Sequence, residues 1–283
     1  MTDTIENLKK ELAKIKILGN EYWMKNLNKR KIKELEFHDL DRDKSRVEAS
    51  KASDTFEKFY GNKKYYKTIR RSSDYLKEWI NKCAKKGGVF LDYACGNGHN
   101  AILAAEMGID LAIGIDISSV SVNNCIDEAK KKKLMNIEFL QADAEDTRLP
   151  DNSIDYIICS GMLHHLDLSY AFPEIRRILK PGGKILAFEA LDYNPLIKLY
   201  RYLTPEMRTD WEKAHILSLK DIKFAERFFI VNEIRYWHVI GFIGGKIKLL
   251  SKLSSFIDRF LEKIPFLNRL AWIFTFELIK PLN

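Results

Sequence analysis

The stretch FLDYACGNGHNA, Phe90 to Ala101, sets an acid, Asp92, ahead of two glycines spaced as Gly96-x-Gly98-x-x-Ala101. Such spacing marks a strand turning into a helix around a nucleotide, where bare main chain comes close to the ligand. Two more acids, Asp116 after LAIGI and Asp143 after IEFLQA, follow later apolar runs in the same manner. An acid after the second strand of such a fold accepts hydrogen bonds from both hydroxyls of a ribose. Beyond the fourth run, IDYIICS, stand His164 and His165, and Glu189 lies at the end of the fifth, KILAFEA. An imidazole takes up a proton near neutral pH, and a carboxylate on the same edge orients the ring or binds a hydroxyl. The glycines and Asp116 alone suit a nicotinamide dinucleotide as well as another adenosine-bearing cofactor.

Only a sheet brings these residues to one edge. From Val89, short apolar runs alternate with helical stretches such as AILAAEMG and SVSVNNCIDEAKKKKL. That is the pattern of a parallel sheet with helices on both faces, which binds ligands beyond the carboxyl ends of its strands. Residues 1–86 are expected to form a helical N-terminal cap, because LKKELAKIKIL and YLKEWINKCAKK repeat apolar residues at steps of three and four. Residues 87–190 are expected to be the cofactor-binding core. Residues 191–283 are expected to hold acceptor-side helices, two more strands within RFFIVNEIRYW and AWIFTFELIK, and a helical insertion between them. In that insertion, residues 246–263, Ile247, Leu250, Leu253, Ile257, Phe260 and Leu261 share one face of a basic amphipathic helix.

Composition limits the classes open to the chain. Of its 283 residues, 46% are hydrophobic, enough for a real core and incompatible with disorder throughout. Cys83, Cys95, Cys125 and Cys159 show neither disulfide nor zinc-ligand spacing, so a reducing cytoplasmic setting is expected. The alternately charged N-terminus is unlike a secretory signal, and no run approaches the ~18 apolar residues of a membrane span. The net charge of +8 is unevenly spread. Residues 1–90 hold 23 basic against 14 acidic side chains, 91–190 hold 9 against 15, and 191–283 hold 15 against 10. Basic flanks of this kind meet anionic lipid, nucleic acid or an acidic substrate, or simply solvate the surface.

Five blocks in order, LDYACGNG, GIDIS, ADAEDTRLPDNSIDYIICS, MLHHL and RRILKPGGKILAFE, carry a family resemblance. Over residues 88–190 the chain resembles the class I S-adenosylmethionine-dependent methyltransferases, particularly the small-molecule branch related to the ubiquinone and menaquinone biosynthesis enzymes. The resemblance implies an α/β, Rossmann-like fold, doubly wound, with seven mostly parallel strands of which the last is antiparallel. It implies S-adenosylmethionine as cofactor, S-adenosylhomocysteine as product and no metal. Gly96 and Gly98 would let main chain approach the methionine part, and Asp92 would face its ammonium, directly or through water. Asp116 would take the ribose hydroxyls and Ile117 would pack on adenine. Asp143 would accept from the adenine amino group, with Ala144 leaving room for the ring. Cys95, Asn97 and Ser160 would line the same berth, with no nucleophilic role for Cys95. Ala94 stands where the family commonly has glycine, a methyl that negative φ tolerates. The cofactor carries an activated methyl, so the protein must align an acceptor and remove a proton. His164 is the expected base, with His165 second and Glu189 behind.

The acceptor is expected to be a small or lipid-like molecule, held by material outside the core. Arg201 and Arg208 are candidates to clamp a carboxylate or phosphate. His38 and His215 are candidates to line the pocket, Tyr65 and Tyr66 to close over the cofactor, and Tyr66 also to contact the acceptor. Peripheral membrane contact would run through the 246–263 helix if its apolar face is exposed; if that face covers the sheet, the helix is core. An NAD(P)-dependent oxidoreductase is the competing enzyme, but it leaves MLHHL unexplained. An RNA-binding or RNA-modifying protein is the other alternative. CSGML stands where base-amine methylation would place Asn/Asp-Pro-Pro-aromatic, so no nucleic acid is expected.

Overall fold

The alternation of apolar and helical segments becomes seven strands and twelve α-helices among the described residues of a computed structural model, which are 2–53, 55–61, 70–241 and 248–282. Five helices precede the sheet: α1 (Thr2–Asn26), α2 (Lys29–Arg42), α3 (Lys44–Ala52), α4 (Phe56–Tyr60) and α5 (Arg70–Ala84). The core continues as β1 (Val89–Tyr93), α6 (His99–Glu106), β2 (Leu111–Asp116), α7 (Ser119–Lys131), β3 (Ile137–Gln141), β4 (Ile154–Ser160), α8 (Leu168–Ile178) and β5 (Leu179–Ala190). The remainder is α9 (Pro195–Leu203), α10 (Asp210–Ala214), α11 (Leu219–Ala225), β6 (Ile230–Trp237), α12 (Lys248–Leu261) and β7 (Ile273–Ile279).

The strands form one sheet in the order β3-β2-β1-β4-β5-β7-β6. The first five run parallel, while β7 is antiparallel to both β5 and β6. The reversal in strand order at β1 and β4 opens a crevice between the loops that leave them, where open α/β sheets take their ligands. Both faces of the sheet are covered, which explains why β1 and β2 are apolar almost throughout. On one face Phe90, Ala112, Ile158 and Leu186 meet α5, α6 and α7. On the other, Leu91, Ile113, Ile157 and Ala187 meet α1, α8 and α11, the last two through Phe172, Ile175 and Ile222.

The N-terminal segment is therefore more than a cap. Leu8, Leu12 and Ile15 of α1 enter one core layer, and Leu76, Trp79, Ile80 and Cys83 of α5 enter the other. Between them, α2 lies across the edge where β1, β2 and β4 end. Ser118 Oγ donates to Asp39 Oδ1 (2.5 Å) and Asn124 Nδ2 to the Arg42 carbonyl (3.2 Å), so α2 is tied to the start of α7.

α12 is held by its polar side. Arg71 pairs with Glu262 through both nitrogens (2.9 and 2.7 Å), Asp258 Oδ1 accepts from Ile240 N (2.9 Å), and Ser254 is buried. Leu253, Phe256 and Phe260 are 54%, 58% and 58% exposed. Ile257 and Leu261 of the predicted face are half-buried, so among the described residues that face is exposed along Leu253 and Phe260 and partly covered beside them. Ile247 lies outside the described residues, as do Tyr65 and Tyr66. No helix among the described residues is long and apolar enough to cross a membrane.

Candidate active site

The crevice holds two adjoining cavities. The first is lined by Ala94–Asn97 after β1, Asp116 and Ile117 after β2, Asp143 and Ala144 after β3, and Ser160 after β4. Each strand ends at this edge because the parallel register aligns their carboxyl ends, Asp92 beside Gly114 and Ile158 and Asp116 beside Gln141. Its roof is one stripe of α2: Arg30, Glu34, His38 and Arg42, with Lys31 beside it. Four-residue steps put those side chains on one face of a helix. That i, i+4 repeat of polar residues is their signal in the sequence, and His38 alone among them is an expected pocket residue.

Asp116 stands at the tip of β2, in the cavity wall. It is nearly buried, and its two oxygens accept from Gly96 N (2.7 Å) and Ser118 N (2.9 Å). These bonds aim the carboxylate while each oxygen retains a second acceptor direction. Burial raises its pKa above the usual carboxylate value, and the two backbone donors oppose that shift. Ile117 and Ala144 supply apolar wall next to it.

Asp143 is engaged elsewhere. Lys31 Nζ lies 2.5 Å from its Oδ2 and 3.0 Å from Glu145 Oε2, and Arg30 also pairs with Glu145. With these cations in place, the cavity keeps about 160 Å³. A drug-sized ligand takes roughly 300 Å³ or more, so the Lys31 side of α2 must yield to admit one.

At three positions the structure alters or adds to the expectation. Asp92 is 1% exposed and lies behind the loop, not in the cavity wall: it accepts from Ala101 N (3.1 Å) and Asn100 Nδ2 (3.3 Å). Burial pushes its pKa to about 7 against the lowering effect of those donors. Gly98 (φ +67°) is required by protein packing as well, since a Cβ there would lie 2.8 Å from both Cys125 Sγ and Phe139 Cε1. Ala94 has φ +51°, not the negative value that would make its methyl comfortable. A left-handed L-residue costs roughly 1–2 kcal/mol. At Gly96 (φ +53°) a Cβ would approach Arg42 Nη2 to 3.3 Å, so the space that glycine opens faces the α2 guanidinium.

The second cavity, about 380 Å³, opens beyond β4 and β5 and is lined by His38, Tyr60, His164, His165, Glu212 and Trp272, among others. Glu189 is buried at the tip of β5 and accepts from Met162 N and Leu163 N (2.8 Å each) and from His164 Nδ1 (2.7 Å). It thus builds the turn that carries the histidines and orients one of them. A carboxylate that only accepts requires the His164 proton on Nδ1, leaving the Nε2 lone pair toward the cavity, 3.9 Å from Glu212 Oε1. His165 Nδ1 pairs with Glu34 Oε2 (2.9 Å), and its ring packs on His164 and His38 at 4.3 and 4.8 Å. Burial, then the nearby His165 and Arg42, hold the His38 pKa well below the ordinary histidine value. Glu212 is raised by burial.

The arginines proposed to clamp the acceptor do not line this cavity. Arg208 donates to the Thr204 carbonyl (2.9 Å) and lies 3.4 Å from Glu212, so it positions Glu212. Arg201 is directed to Asp192 (3.4 Å). His215 stacks on Trp211 at 3.6 Å in a separate surface groove beside Lys29 and Lys33. Glu212, Tyr60 and Trp272 carry no local signal of this kind in the sequence.

Residues 91–187 match the profile of a family described as a methyltransferase domain. The ubiquinone/menaquinone biosynthesis C-methyltransferase UbiE of Rickettsia bellii is 33% identical over 119 residues, 40% of this chain and 48% of that protein. The demethylmenaquinone methyltransferase of Staphylococcus carnosus is 36% identical over 108 residues, 37% and 44% of the two chains. The match thus spans about half the length of these curated relatives. Among solved structures, the [4+2]-cyclase SpnF superposes with a TM-score of 0.53 at 20% identity, over 75% of this chain and 82% of that one. That likeness shows the fold alone, and a fold does not name a reaction.

Proposed function

We propose that this chain, whose residues 91–187 form a class I, S-adenosylmethionine-dependent methyltransferase domain, moves a methyl group to an O, N or C atom of a small, lipid-like acceptor. The observation that carries the reading is the junction of the two cavities at Gly161. A carboxylate fixed for ribose hydroxyls stands on one side, and an oriented His164–Glu189 pair on the other. The residues suit the cofactor: Asp116 for the ribose, Ile117 and Ala144 for the base, Asp143 for its amino group once Lys31 withdraws. When bound, S-adenosylmethionine supplies a methyl on a positively charged sulfur. The rest falls to the chain. His164 Nε2 accepts the acceptor's proton, Glu189 holds the ring against rotation, and the imidazolium that results lies between Glu189 and Glu212. His165, tied to Glu34 of α2, is the second basic group of the cavity wall.

A lipid-like acceptor is supported by the protein's exposed apolar surface. Leu253, Phe256 and Phe260 of α12 continue into Ile264 and Phe266, and α9 exposes Leu196, Leu199, Tyr202 and Leu203. Asn194, at the start of α9, donates to the Leu270 carbonyl (2.7 Å), which brings α9 close to the turn that follows α12. Lys198, Arg259, Lys263 and Arg269 intersperse the stripe. Apolar side chains rimmed by cations suit the surface of an anionic bilayer, and Trp272 joins this region to the acceptor cavity.

Calorimetric titration separates this reading from a dehydrogenase: S-adenosylhomocysteine is expected to bind and NAD is not. His164→Ala is expected to retain that binding while turnover on a methyl acceptor falls roughly 10²–10⁴-fold. Binding of NAD alone would replace the reading, and parallel loss of affinity and turnover in His164→Ala would make the histidine structural.

A further inference from the structure

We infer that Arg42 is the determinant of the amino-acid end of the cofactor, its guanidinium receiving the ligand's carboxylate above Gly96. The inference rests on the cofactor reading given above and extends it to a residue of α2. Asp116 takes the ribose at the tip of β2, and Ile117 and Ala144 flank the base, so the rest of the ligand must run along Ala94–Asn97. At the end of that path, Arg42 Nη2 and Nε lie 3.3 and 3.6 Å from the point a Cβ on Gly96 would occupy. Nη1 is paired with Asp41, but Nε is buried without a hydrogen-bond partner. A buried N–H left unpaired is costly, and a carboxylate is the natural acceptor for a guanidinium fork. The main chain of Arg42 is pinned by Asn124 of α7, and Asp39, one turn earlier, is bonded to Ser118. The guanidinium is thereby held over the loop at a fixed distance from Asp116. Lysine, a point charge without the fork, would reproduce this only in part.

Two ligands that differ in one group test the assignment: S-adenosylmethionine and its decarboxylated form, titrated calorimetrically into the whole chain. The natural chain is expected to bind the carboxylated ligand about 10- to 100-fold more tightly, the range for a charge-assisted hydrogen bond. In Arg42→Gln that preference is expected to fall to within roughly threefold, with the decarboxylated ligand's affinity nearly unchanged, and Arg42→Lys should restore part of it. Equal weakening of both ligands, or an undiminished preference, would overturn the role of Arg42 while leaving the cofactor reading intact. If the natural chain binds neither ligand, both readings fall. Thermal melting of Arg42→Lys beside Arg42→Gln separates loss of recognition from loss of fold.

Discussion

Asp92 illustrates how a residue placed for one purpose in the sequence serves another in the fold. Its carboxyl is bonded to the first turn of α6, out of the cavity wall, and burial lifts its pKa to about 7. The unfolded chain releases this proton near 3.8, the folded chain only near 7. Folding therefore retains a proton across that window, and stability falls as pH rises through it. Above about pH 7 the whole penalty of the buried charge is present. Asp92→Asn keeps an acceptor for Ala101 N and removes the charge. Its melting temperature, relative to the natural chain, is expected to gain more at pH 8 than at pH 5, and S-adenosylhomocysteine affinity should hold. A gain independent of pH would refute the buried-charge account, and a large loss of affinity would return Asp92 to the cofactor's ammonium. Ala94 and Gly98 make a similar point: a positive φ or a 2.8 Å approach to Cys125 cannot be read from a loop's letters.

Among the elements, α2 does the most that a local reading misses. Its stripe of Arg30, Glu34, His38 and Arg42 roofs the first cavity, His38 and Arg42 also line the second, and Lys31 occupies the carboxylate that the base would need. Burial works to lower the Lys31 pKa, but its partners Asp143 and Glu145 outweigh it and the net shift is upward. The lysine is therefore charged, and breaking its pairs costs stability. Lys31→Met is expected to lower stability by about 3 kcal/mol, the low end for breaking a buried ion pair. It should also raise S-adenosylhomocysteine affinity severalfold, since Asp143 no longer has to be vacated. Weaker binding in that variant would mean that Lys31 is itself a contact of the bound state. The tie between α2 and α7 holds one helix across the crevice, with Arg42 over the Gly96 loop and Glu34 paired to His165.

In the molecule as a whole, the two cores on either face of the sheet fix the edge where the strands' carboxyl ends meet, and α9 and α12 expose apolar side chains. That surface predicts behaviour no single residue does. The chain is expected to cosediment with anionic vesicles and much less with zwitterionic ones, with binding reduced by salt. Phe256→Glu combined with Phe260→Glu should abolish it while leaving the melting temperature within a few degrees, since both side chains are exposed. No cosedimentation with anionic vesicles would end the membrane reading, and a monomer–dimer change in that variant would assign the face to a second copy.

Legible in the letters alone were the five parallel strands, the glycine turn, and the placing of Asp116, His164 and Glu189 at the carboxyl edge of the sheet. These follow from the alternation of apolar runs and from spacings of a few residues, which act locally along the chain. Tertiary structure alone decided what stands across the crevice from them. Lys31 meets Asp143 over 112 residues, Arg30 reaches the His165 carbonyl over 135, and Glu34 joins Thr209 over 175. It also decided that α12 docks by Ser254 and Asp258 and turns its phenylalanines outward. A helix's periodicity says which residues share a face, but only the packed neighbours say which face is buried.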